Sequence, residues 1–352
     1  LLVAPWALAL LVSRDALDSM HLIGLMSGLL TLVGVWLLGA ELFRRTPENG
    51  PFDELSVDDG QSLGLLTAAL VATSPLFLHF SRAPIFLEPV AWGVFGLWSL
   101  VRGLRTGDQL VMGLSGLLCG LAALLYPSGL AFPLVALCWW VGVWLLQPGW
   151  LRPARPASSH TRRTGWLGLL WLSGLAVMLA PQLAAWVDRP ALVLNQFAGA
   201  PLPRGDALLA LFHLEPYRGP ALLYPAYGFS VVVTPLLILA LGNLLLNLDR
   251  LVGWAIFTWV LVALVVGSSL SPGPQSWPAL LPLLPALALA IAFTLDRIRA
   301  TLLATAGPAF ARASTYLLIG LVVWLGLLGW IEFRQFARSN LQPAIASALE
   351  LR

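Results

Sequence analysis

Two stretches of the sequence place chemically capable side chains close together. The first is HFSRAPIFLEP, residues 79–89, where Arg82 and Glu88 stand with His79 between almost purely apolar runs. The second is HLEPYRGP, residues 213–220, with His213, Glu215, Tyr217 and Arg218. The planar fork of an arginine pairs two oxygens of one phosphate, so Arg82 and Arg218 suit an anionic group such as a lipid phosphate. A histidine and a glutamate two residues apart suit proton transfer. Each stretch also has a plain reading. Arg82 snorkels to headgroups while Glu88 caps a helix started by Pro89, and 213–220 is a solvated loop. Spacing alone leaves both readings open.

The elements that position these groups must be membrane helices. Of the 352 residues, 59% are hydrophobic and only 11% charged, against roughly a quarter charged in a soluble domain. Several apolar runs exceed the ~18 residues that read as a spanning helix, and the short alternating segments of an outer-membrane barrel are absent. The expected fold is an all-α polytopic membrane protein. About ten transmembrane helices are expected, over 21–43, 61–80, 88–104, 110–126, 129–146, 166–187, 226–246, 251–270, 278–295 and 314–331. Trp139, Trp140, Trp144, Trp150, Trp166, Trp171 and Trp186 fall near predicted interfaces and read as belt anchors. Cys119 and Cys138 lie inside apolar runs and read as small core residues. The glycines of GLSGLLCGL, 113–121, are spaced for close helix packing. The sequence has no nucleotide-binding loop, zinc spacing or nucleophile elbow. Neither a cofactor nor a metal is expected, and no nucleic acid.

All 20 basic residues are arginines. If the segment before residue 21 is external, 12 of the 20 fall in internal loops, including the cluster RPARPASSHTRR at 152–163. Positive charge resists translocation, which favours this orientation. It makes 79–89, 188–225 and 332–352 external. The chain begins Leu1-Leu2-Val3, with no methionine and no charged stretch ahead of an apolar core. A fragment lacking its N-terminus is expected.

Four stretches then line up in order: LIGLMSGLLTLVGVWLLGAELFRR (22–45), GLLTAALVATSPLFLHFSR (64–82), GLLCGLAALLYPSGLAFPLVAL (116–137) and PGPQSWPALLPLLPALALAIA (272–292). Together they resemble the C-type membrane glycosyltransferases, the protein-mannosyltransferase-like family that uses polyprenyl-phosphate sugars. The SP…SR turn, Tyr126-Pro127-Ser128 and the late LPLLPALAL helix carry the likeness. The resemblance implies a helical bundle with its active site at the external membrane surface, in a bacterial inner membrane. It implies transfer of a hexosyl or pentosyl group from a polyprenyl-phosphate donor to a lipid, glycan or protein acceptor, among membrane lipids. The family's acidic catalytic residue would lie upstream of Leu1. The arginine of its SR pair maps onto Arg82, and His21 stands where the family often has arginine. Residues 1–331 would form the transferase-like domain, and 332–352 an external segment opening a further one. Two other readings stand beside it: a transporter or flippase of a lipid-linked substrate, and a non-catalytic membrane subunit. Spans nearly free of charge, with no two-fold repeat, weigh against transport.

Overall fold

The computed structural model describes residues 16–44, 60–81, 84–146, 160–188, 229, 233–269 and 277–336. Every regular element among them is a helix. In chain order these are α1 Ala16–Leu42, α2 Gly60–Ala72, α3 Pro75–Phe80, α4 Pro84–Thr106, α5 Gln109–Leu125 and α6 Ala131–Leu146. There follow α7 His160–Asp188, α8 Thr234–Leu246, α9 Leu251–Ser269, α10 Trp277–Leu280, α11 Leu283–Ala306 and α12 Pro308–Phe336, and a 3₁₀ turn, Pro127–Leu130, precedes α6. Among the described residues, four stretches are long and apolar enough to cross a bilayer: Leu22–Leu42, Gly165–Ala184, Leu251–Ser268 and Ala313–Ile331. The protein is an all-α integral membrane protein.

Caps, rather than apolarity, decide where these helices break. The run 61–80 divides at Thr73 and Ser74. Ser74 is extended, its hydroxyl accepts a hydrogen bond from the Phe77 amide at 3.3 Å, and Pro75 opens α3. The next helix begins at Pro84, and Pro89 lies inside it. A proline at the first helical position gives up an N–H that would have no partner there. The reading of Glu88 as a cap is therefore corrected: it sits at the start of the second turn of α4. Asp108 caps α5 by accepting from the Leu110 and Val111 amides at 2.9 and 3.4 Å. The helix expected over 278–295 is α10, a turn, and then α11. The latter runs on past Asp296, Arg297 and Arg299 to Gly307, whose φ of 85° suits only glycine at low cost.

Small residues set the helix–helix approach. Gly116 of α5 lies so close to the Trp171 carbonyl of α7 that a Cβ would collide with it. Gly120 faces Met178, and Gly174 faces the Gly113 carbonyl. On another face of α5, the Ser115 hydroxyl donates to the Gly96 carbonyl of α4 at 2.8 Å. Buried Cys119 also meets Gly96 and, like Cys138, is free. Two of the expected tryptophan anchors are buried instead. Trp139 donates from its indole to the Ala255 carbonyl of α9 at 2.7 Å, and Trp171 lines the α5–α7 seam, whereas Trp166 is exposed.

These contacts fix direction. Rising numbers on α5 meet rising numbers on α7, so the two run parallel. On α6, Phe132 meets Trp259 of α9, and Gly142 meets Trp254, so this pair is antiparallel. At the centre, α11 packs against α2, α8, α9 and α12. Every residue from Leu283 to Leu295 is buried. A helix apolar on all sides belongs in that surrounded position.

Candidate functional site

The alternation of helix directions sorts the polar residues into two ends. At one, Arg105 of α4 pairs with Glu41 of α1 at 3.2 Å and donates to the Arg44 carbonyl at 3.1 Å. Both paired side chains are only 11–12% exposed. Burial lowers the Arg105 pKa and Glu41 opposes that shift. An arginine stays charged regardless. Nearby, Phe43 stacks on Phe293 with ring centroids 6.2 Å apart, and the Arg297 guanidinium lies 5.5 Å from the Phe293 ring centroid. The Asn243 amide donates to the Thr294 hydroxyl at 3.0 Å, tying α8 to α11.

The opposite end is built differently. Glu88 lies 17 residues before Arg105 on α4, about 25 Å away along the helix. Four rings run edge to face at this end. His79 of α3 meets Phe80 at 5.2 Å, Phe80 meets Phe86 of α4 at 5.5 Å, and Phe86 meets Tyr126 at 5.3 Å. Such pairs place the positive edge of one ring on the negative face of the next. Tyr126 ends α5 in an extended conformation, and its carbonyl accepts from the Gly129 amide at 2.8 Å to start the 3₁₀ turn. Gly129 folds back onto the Ala122 carbonyl, leaving no room for a side chain. Asp188 closes α7 at this end, since α7 runs parallel to α5.

Of the residues singled out in the sequence, Glu88 is described. It is half-buried and has no hydrogen-bond or ion-pair partner among the described residues. Arg82, His213, Glu215, Tyr217 and Arg218 lie outside the described residues, as do His21's side chain and most of 188–225 and 332–352. The described neighbours of those segments, Ser81, Asp188 and Phe229, are helix ends or the residue leading into α8. Two residues at this end were not proposed from sequence as site residues. Tyr126 was read only as part of a family-like motif. Gln182 was passed over, although an amide directly after Pro181 in an otherwise apolar span is itself a signal. A cleft of about 120 Å³ between α6 and α7 is lined by Leu137, Trp140, Trp171 and Leu172 with glycines. It offers no acid, base or cation, so the chemistry is not there.

The same architecture occurs in solved structures. The crystal structure of ArnT from Cupriavidus metallidurans bound to undecaprenyl phosphate matches with a TM-score of 0.52 at 16% identity, over 97% of this chain and 61% of that one. Its apo form matches at 0.54 and 17% identity. The Archaeoglobus fulgidus oligosaccharyltransferase AglB, solved with an inhibitory peptide and a dolichol-phosphate, matches at 0.52 and 14% identity, over 93% of this chain and 47% of that one. The chain shares its fold with these membrane proteins. The chain spans about three fifths of ArnT and under half of the oligosaccharyltransferase. No protein-family model matches the chain, and no characterised protein matches it in sequence.

Proposed function

We propose that this protein is a glycosyltransferase that moves a sugar from a polyprenyl phosphate to a lipid, glycan or protein acceptor at the external face of a bacterial inner membrane. One observation carries the reading: the fold shared over 97% of the chain with ArnT, a protein whose crystal structure holds undecaprenyl phosphate. Such a reaction needs a carboxylate to take the acceptor's proton and cations to steady the departing phosphate. We assign the second role to Arg82, with Arg218 beside it, and substrate contacts to Glu88, His213, Glu215 and Tyr217. An acidic residue upstream of Leu1 is the proposed base. Connectivity supports a shared site, because Ser81, Asp188 and the start of α8 all belong to the aromatic end of the bundle. In this reading the arginine end is cytoplasmic, the chain crosses the bilayer about ten times, and 332–352 is an external segment.

The test uses the full-length protein and undecaprenyl-phosphate sugars. Arg82→Ala should lower transfer by about 100-fold or more, and Arg82→Lys should restore little, because a point charge does not replace a bidentate fork. Activity of Arg82→Ala equal to wild type, at equal expression, removes Arg82 from the reaction. Cysteines placed at 205 and 158, after Cys119 and Cys138 are replaced by alanine, report sidedness. External reagent should label 205 and spare 158; the reverse pattern sinks the orientation.

A further inference from the structure

Trp171, Leu175 and Met178 form the stripe of α7 that packs on the glycines of α5. Their spacing of four and three continues, four residues on, to Gln182. The stripe therefore changes from apolar to amide near the end of the seam, where α5 finishes at Tyr126. The Gln182 carboxamide oxygen is buried and accepts no hydrogen bond among the described residues. The Tyr126 hydroxyl likewise has none among the described residues, while its ring is held edge-on by Phe86. A buried acceptor left unmade is costly, and in a membrane there is no bulk water to satisfy it. Leucine would pack on that seam without the penalty. An unsatisfied amide oxygen at the same end as Glu88 points to a ligand that brings its own donors.

We infer that Gln182 and Tyr126 form a hydroxyl-reading subsite for the sugar of the lipid-linked donor. The inference rests on the proposed transferase reading and deepens it. An amide offers one acceptor and two donors side by side, which matches neighbouring hydroxyls on a pyranose ring. The phenol adds one donor and one acceptor, and its ring face suits the apolar C–H face of a sugar. The phosphate is left to the arginines. This subsite distinguishes a sugar-loaded lipid from a bare lipid phosphate.

The experiment compares two probes, undecaprenyl phosphate and undecaprenyl-phosphate glucose, on full-length protein in nanodiscs. Wild type should bind the glucose-bearing lipid about ten-fold or more tighter than the bare one. Gln182→Leu should abolish that difference, leave bare-lipid binding unchanged, and melt no lower than wild type. Tyr126→Phe, which keeps the ring against Phe86, should also lose most of the difference. A preference that survives in both variants overturns the inference, as does a wild type with no preference. A fall in both affinities together with melting temperature assigns the residues to packing and also overturns it. Failure of wild type to bind even undecaprenyl phosphate instead refutes the transferase reading on which the inference stands.

Discussion

Glu41 and Glu88 are the same residue type on neighbouring helices, at opposite ends of the bundle, and their surroundings could hardly differ more. Glu41 is enclosed with Arg105, and the same guanidinium reaches a second acceptor at Arg44. At the end that holds Glu88 the described contacts are between rings, Phe80 with Phe86 and Phe86 with Tyr126, and its carboxylate has no partner among the described residues. Where polar groups only tie helices together, they are consumed in pairs. Where they are left open, as at the other end, they are available to something else. The contrast separates polar residues that hold the fold from polar residues the fold holds ready.

The largest test of this contrast is Arg105→Ala. It strands Glu41 in a nearly dry site and should cost about 3–5 kcal/mol in thermal or denaturant unfolding. A loss below about 1 kcal/mol would mean the pair is no tie at all. Gly116→Leu forces a side chain into the Trp171 backbone, which cannot step aside; about 1–3 kcal/mol of overpacking is expected. Phe86→Ala removes the ring that touches both Phe80 and Tyr126, and a loss of about 1–3 kcal/mol is expected from a partly buried ring. Asn243→Ala breaks one hydrogen bond between α8 and α11 and should cost about 0.6 kcal/mol. Glu88→Gln closes the series with no loss of stability. A melting temperature lowered as far as by Arg105→Ala would show that Glu88 is held after all, and the contrast would fall.

Much of the bundle was legible in the sequence, and particular residues show why the rest was not. Apolar runs placed α1, α5, α6 and α9 to within five residues, because lipid demands uninterrupted apolarity there. The same signal misplaced other boundaries, since it marks where lipid ends rather than where a helix does. Ser74 and Pro75 were readable as a cap and a start inside 61–80, yet hydropathy hid them. At 84–89 there were two prolines to choose from, and the first one opens the helix. Asp296 and Arg297 stop an apolar run without stopping α11. GLSGLLCGL was read correctly as a packing seam, because close approach needs small residues at helical spacing. The chemistry of Glu88 was visible by residue type alone. The edge-to-face string was not, because His79, Phe86 and Tyr126 meet only after three elements converge.

The enclosed half of α11 has a consequence for how the chain is made. The ribosome delivers α2 first, and about 210 residues separate Ala72 from Leu283. At synthesis rates of 5–20 residues per second, roughly 10 to 40 seconds pass before the central helix emerges. For that time the face of α2 that will enclose it must be covered by lipid or by an insertion partner, whereas α8 and α9 wait only about 1 to 7 seconds. A nascent chain stalled before Leu283 should therefore expose in the bilayer the faces of α2, α8 and α9 that α11 covers.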